Sequence, residues 1–176
     1  MKLFKIFLSF FVIVALVFVV SLFFPHHYKI EKSVTINKPI YQSFSFMNDI
    51  KNWEKWSPWN KDIDSSMKFF YSKNTVGKDA KFYFRGNLVG IGYLSISESV
   101  PNEMIQTFLN INEQELTSHA TFRFTDLGNK TQLSWIDEGD VGYNPILRFM
   151  VPSKIENTEL AFSEGLMKIK IAIERY

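Results

Sequence analysis

From Ile6 to Phe24 the chain reads IFLSFFVIVALVFVVSLFF, with no charge and only Ser9 and Ser21 as polar interruptions. Outside water, such a segment must satisfy its backbone internally, and a helix does so. At about 1.5 Å of rise per residue, the run nearly matches a hydrocarbon core of about 30 Å. The sequence therefore predicts a transmembrane anchor over 1–27 and one folded domain over 28–176. Pro25, His26, His27 and Tyr28 follow at once and make an interfacial collar. A cleaved signal peptide would carry a shorter apolar region, about 7–15 residues, ending in small side chains. Val19 to Phe24 offers no such site, and there is no Cys for lipid attachment. Lys2, Lys5 and the free amine precede the run, and Lys29 and Lys32 follow it. That small asymmetry favours a cytoplasmic amino end, with the domain on the outer face of the cell membrane.

The rest of the chain is electrically balanced. The whole chain's 20 basic and 18 acidic side chains give a formal charge of +2, and the surplus sits at Lys2 and Lys5. A nucleic-acid partner is excluded on that ground. The absence of Cys excludes a disulfide framework, thiolate metal sites and a cysteine nucleophile. The 18 Phe mean many large rings to bury. None of this names a substrate.

Lys29 to Ile36 alternates apolar and polar residues and reads as a first strand. Asn37-Lys38-Pro39 reads as a helix start, with Asn as the cap and Pro in the first turn. Ile40, Phe44 and Met47 give that helix one buried face. The stretch Asn52 to Trp59 holds Trp53, Trp56 and Trp59; it reads as a short helix and a loop broken at Pro58. Six alternating segments follow, over 67–72, 80–86, 88–99, 104–111, 116–125 and 131–138. Their short links suit antiparallel hairpins. Ala80, Phe82 and Phe84 share one face against Lys81, Tyr83 and Arg85; Ala120, Phe122 and Phe124 oppose Thr121, Arg123 and Thr125. One face is wet and the other strongly aromatic.

After Gly142 the period changes. Pro145 to Met150 reads as a short helical turn, and Ser153 with Glu156 as the capping box of a final helix. Ile155, Phe162, Leu166, Ile169 and Ile173 make one stripe of that helix, and Leu160, Met167 and Ile171 a second. The order of elements predicts an α+β fold, a curved antiparallel sheet of about seven strands around a long C-terminal helix. An apolar cavity remains wherever the curve exceeds side-chain reach.

In four stretches the chain resembles the START-like superfamily, also called SRPBCC, in its polyketide cyclase/dehydrase and lipid-transport branch. They are SVTINKPIYQSFSFMNDIKNWEKWSPW (33–59), Val76-Gly77-Lys78-Asp79-Ala80 with the Phe-rich strand and Gly90-Ile91-Gly92, Thr131-Gln132-Leu133-Ser134-Trp135, and Phe162-Ser163-Glu164-Gly165-Leu166 with Lys168 and Glu174. No single motif is specific; their order is. The resemblance implies a helix-grip fold with a ligand pocket between helix and sheet. It implies no particular reaction, because family members include carriers, cyclases, hydrolases and co-chaperone domains.

The residues set against such a pocket are Trp53, Trp56, Trp59, Phe69, Phe82, Phe84, Phe122, Phe124, Phe162, Gly165 and Leu166. Each has a second reading as plain core packing. Gly165 lies inside a helix, where Gly costs about 1 kcal/mol against Ala; close approach of a ligand or a strand would explain it. The leading functional reading is a membrane-anchored binding module for a hydrophobic small molecule or lipid. A second is a cyclase-like or hydrolytic enzyme drawing on Tyr83, Tyr93, Arg85, Arg123 and His119, most of which have solvent-face parity. A third is a protein-interaction module using Met167 and Ile171 on the outer face of the last helix. No catalytic set, cofactor or metal site is assigned. His26 and His27 are set at the membrane flank, and His119 on the wet face. Asp137-Glu138-Gly139-Asp140, Asp62 and Asp64 read as solvated acids.

Overall fold

The computed structural model describes residues 2–57, 61–112 and 116–176, and the side chains of all these except 2, 3, 116 and 117. In chain order the elements are α1 (Lys2–Ser21), β1 (His27–Ile36), α2 (Ile40–Asn48), a 3-10 helix (Ile50–Lys55), β2 (Lys68–Tyr71), β3 (Lys81–Gly86), β4 (Gly90–Val100), β5 (Met104–Ile111), β6 (Leu116–Asp126), β7 (Thr131–Asp140) and α3 (Pro145–Arg175). The strands form one sheet in the order β1-β7-β6-β5-β4-β3-β2. Each pair from β2 to β7 is antiparallel, as the short links require. The chain divides into two compact units, Met1–Ile30 with Glu138–Glu159, and Glu31–Asp137 with Leu160–Tyr176.

The second unit holds the aromatic core. Phe82 and Phe84 are buried while Tyr83 and Arg85 between them are exposed, as the parity predicts. Phe84 lies between Phe69 on β2 and Gly92 on β4. A Cβ at Gly92 would stand 2.5 Å from both the Phe84 ring and the Asn110 carbonyl oxygen, so only glycine lets that ring lie flat on the strand. From the end of α3, Leu166, Ile169 and Ile173 enter the same core as Ile36, Phe44, Phe82 and Phe122. The second stripe stays open, with Leu160, Met167 and Ile171 at 64%, 52% and 42% exposure.

Three local expectations are corrected. Asn37 does not cap α2: Pro39 stands at that position without a side-chain cap, and the Asn37 amide donates instead to Glu174 Oε1 at 2.7 Å. Pro152 does not start the last helix. It lies inside α3, and no capping box forms, since Ser153 Oγ accepts from Asn157 Nδ2 at 3.3 Å. The start is one Pro earlier. Asn144 Oδ1 accepts from the Ile146 and Leu147 amides at 3.0 and 3.3 Å, with Pro145 in the first turn, where its missing N–H costs nothing.

The third correction concerns two acids. Asp137 is buried, and so is Asp64, at 3% exposure. Asp64 accepts hydrogen bonds from the Ser66 hydroxyl and amide at 2.5 and 2.9 Å, and from the Leu88 and Val89 amides at 2.7 and 3.3 Å. The Ser66 hydroxyl foremost, then the Leu88 amide, holds the carboxyl down at about 2. A carboxylate depressed on folding adds stability above its unfolded pKa, about 3.9, and loses it as pH falls through the folded value. Asp64→Ala should therefore lower the thermal midpoint by several degrees at pH 7, with the gap to the parent protein narrowing between pH about 4 and 2. A gap that stays constant on circular-dichroism melts across that range would remove Asp64 as the cause.

In the first unit, Phe4–Ser21 of α1 is long and apolar enough to cross a membrane. The strand that follows begins at His27, earlier than alternation alone suggests, because the Val141 amide donates to the His26 carbonyl at 2.9 Å. Arg148 is buried, donating through Nε to the Gly142 carbonyl at 2.7 Å. Phe24 meets Phe149 edge-on at 4.6 Å.

Candidate functional site

Within the second unit, the side chains nominated from the sequence fall into three groups. Trp53, Trp56, Phe122 and Phe162 converge on Trp135. Trp56 lies 5.0 Å from Trp53 and 5.9 Å from Phe122, centre to centre. Trp135 lies 4.8 Å from Phe122, 5.9 Å from Trp56, and stacks on Phe162 at 4.3 Å and 13°. Phe69, Phe82 and Phe84 form a second run, with centres 5.2 and 6.2 Å apart. Phe124 stands apart from both and meets Phe44 edge-on at 5.4 Å. Leu166 joins the common core. Trp59 lies outside the described residues.

Position in the fold explains the first group. The 3-10 helix is tied to α2 because Trp53 Nε1 donates to the Met47 carbonyl at 2.8 Å and Asn52 Nδ2 to the Phe46 carbonyl at 3.0 Å. Those two bonds set Trp53 and Trp56 over the aromatic face of the sheet. Gly165 is needed on the facing helix: a Cβ there would stand 2.6 Å from Trp135 Cζ3. The strand approaches where the sequence places a costly helical glycine.

Trp135 is the centre that sequence reasoning passed over, since a strand tryptophan reads as core. The signal was available in its register opposite Phe122. Among the described residues it is also one of three with a buried side-chain polar atom that has no hydrogen-bond partner, beside Trp56 and Ser43. The indole N–H groups of Trp56 and Trp135 are buried without an acceptor among the described residues, whereas Trp53 is satisfied. A buried orphan donor costs about 1–3 kcal/mol. The two rings touch, 5.9 Å apart centre to centre.

The polar groups of the enzyme reading lie elsewhere. Tyr83, Arg85, Arg123 and His119 are exposed, on the parity opposite Phe82, Phe84, Phe122 and Phe124. Tyr83, Tyr93, Phe108 and His119 form an aromatic ladder across four strands, with centres 5.9, 6.0 and 4.9 Å apart. His119 stacks there on Phe108, 4.9 Å away centre to centre, on the exposed face of the sheet.

No family model matches the sequence, and no curated protein matches it. Solved structures do. The Aha1 dimer from Colwellia psychrerythraea is similar over 84% of this chain and 96% of its own, at 14% identity and TM-score 0.56. CalU16 from Micromonospora echinospora is similar over 82% of this chain and 75% of its own, at 12% identity and TM-score 0.54. MLL2253 from Mesorhizobium loti is similar over 84% and 98%, at 14% identity and TM-score 0.58. The protein has the helix-grip fold, and likeness at this identity speaks to fold alone.

Proposed function

We propose that the protein is a membrane-anchored binding module, taking a hydrophobic small molecule or lipid between the sheet and the end of the C-terminal helix. The observation that carries this reading is the pair of orphan indole donors, Trp56 and Trp135, inside the aromatic group. The guest it fits has an apolar body and one oxygen acceptor, as a fatty acid or a sterol has. Desolvating such a body contributes about 25 cal/mol per Å² before binding costs. Phe122 and Phe162 are the rings that must turn to admit it. The anchor supports the same reading, since apolar guests partition into bilayers. The open Leu160, Met167 and Ile171 keep a protein partner on the outer face of α3 as the second reading.

Full-length protein exchanged into lipid-free amphipol should take up cis-parinaric acid saturably, with emission sensitised by tryptophan. Trp135→Phe should weaken the sensitised signal. Mass spectrometry of an organic extract of the freshly purified protein should find a bound lipid. No saturable uptake of fatty-acid, phospholipid or sterol probes, with nothing in the extract, would end the carrier reading.

A further inference from the structure

The sequence sets His26 and His27 at a membrane flank and Asp140 in an acidic strand end, 114 positions from His26. The fold brings the three together. The Val141 amide donates to the His26 carbonyl at 2.9 Å, and a Cβ on Gly139 would touch the Tyr28 hydroxyl at 2.6 Å. Both contacts fit one antiparallel register, in which His27 lies opposite Asp140. His26 Nδ1 stands 3.1 Å from Asp140 Oδ1, and His27 Nε2 stands 3.6 Å from Asp140 Oδ2. One ligand atom from each residue lies within 4.8 Å of the others.

We propose that His26, His27 and Asp140 bind a first-row transition-metal dication, with Zn²⁺ as the reference ion. At Zn–N and Zn–O bonds of about 2.0–2.2 Å, the edge of a tetrahedron is about 3.3–3.5 Å. The two nitrogen–oxygen separations, one to each carboxylate oxygen, lie close to that edge. Small rotations of the carboxylate and of the imidazoles, 4.0 Å apart centre to centre, bring one atom of each to bonding distance from a common ion. Their side chains and that of Asp140 are 44%, 70% and 47% exposed, so each is reached by solvent. The Gly142 amide donates to Asp140 Oδ1 at 2.7 Å and fixes the carboxylate from outside, the role an outer-shell partner takes at metal sites. Two imidazole nitrogens and one carboxylate select Zn²⁺, Ni²⁺ or Cu²⁺ over Ca²⁺ and Mg²⁺, which take oxygen sets. Three protein ligands on a solvent-facing strand pair leave a coordination position open to water or an incoming donor.

The competing account is a pair of His–Asp ion pairs with no metal, and calorimetry separates the two. Tag-free full-length protein in detergent is titrated with ZnCl₂, then with MgCl₂, and Co²⁺ is added as a spectroscopic probe. The expected result is one Zn²⁺ per chain, no Mg²⁺ at the same site, and visible Co²⁺ bands of a low-coordinate nitrogen–oxygen set. His27→Ala and Asp140→Asn should each weaken Zn²⁺ by at least about tenfold, since losing even an outer-shell partner costs 10–100-fold. His27→Gln, which keeps a polar contact across the strands without an imidazole, should weaken it likewise. His119→Ala should bind as the parent does. Absence of saturable Zn²⁺ binding overturns the proposal. So does equal binding by the parent and a folded His27→Gln variant, or equal affinity for Mg²⁺.

Discussion

Phe122→Ala should lower the unfolding free energy by about 3–5 kcal/mol, the range for removing a fully enclosed ring. Phe122 is 1% exposed and touches three tryptophans, with centres 6.1 Å from Trp53, 5.9 Å from Trp56 and 4.8 Å from Trp135. The loss combines the transfer free energy of the ring with the cavity it leaves, because Trp53 is held by the Met47 carbonyl and cannot collapse inward freely. Arg123, the next residue, is exposed; Arg123→Ala should change stability by less than about 0.5 kcal/mol. Denaturant unfolding followed by tryptophan emission measures both. A Phe122→Ala loss below about 1 kcal/mol would mean that the aromatic group is loose rather than packed. The same variant bears on function, because a dry apolar cavity admits small apolar guests. Added indole should raise the midpoint of Phe122→Ala by more than that of the parent.

What could be read from the residues, and what could not, follows from the range of the forces involved. Alternation is a local property, so the wet and aromatic faces of β3 and β6 were legible, and Phe82, Phe84, Phe122 and Phe124 lie inside as their parity requires. Helix starts were less legible, because Pro is tolerated in a first turn and also survives inside a helix. Two prolines, Pro145 and Pro152, offered the same signal, and only the Asn144 side chain decided between them. Asp64 was misread for a different reason. Its four donors come from Ser66, Leu88 and Val89, and two of those residues arrive only when β3 turns into β4. The meeting of His26 and His27 with Asp140 likewise depends on which strand pairs with β1, which alternation does not specify. Gly165 was the exception, a helical glycine whose cost pointed across the fold to the ring of Trp135.

A double substitution in the first helix, Val12→Arg with Leu16→Arg, should release the protein from membranes. Each arginine at the centre of a spanning helix costs about 2.5–3.5 kcal/mol of insertion free energy. The pair costs about 5–7 kcal/mol, a shift of more than a thousandfold in partition at about 1.4 kcal/mol per decade. The helix carries its own argument for a non-aqueous surrounding. A buried core helix would hide its apolar side chains, but only 6% of the Phe4–Ser21 window is buried, and Val12 and Leu16 are 57% and 61% exposed. Neither residue belongs to the hydrophobic core, so the substitutions test insertion without removing a core residue. After an alkaline carbonate wash the parent should stay in the pellet, and the double variant should move to the supernatant with its circular-dichroism melt unchanged. A parent protein that washes off, or a variant that stays, rejects α1 as an anchor. Asp137 and Trp135 give no leverage on that outcome; it depends on the length of the apolar run and the absence of charge within it.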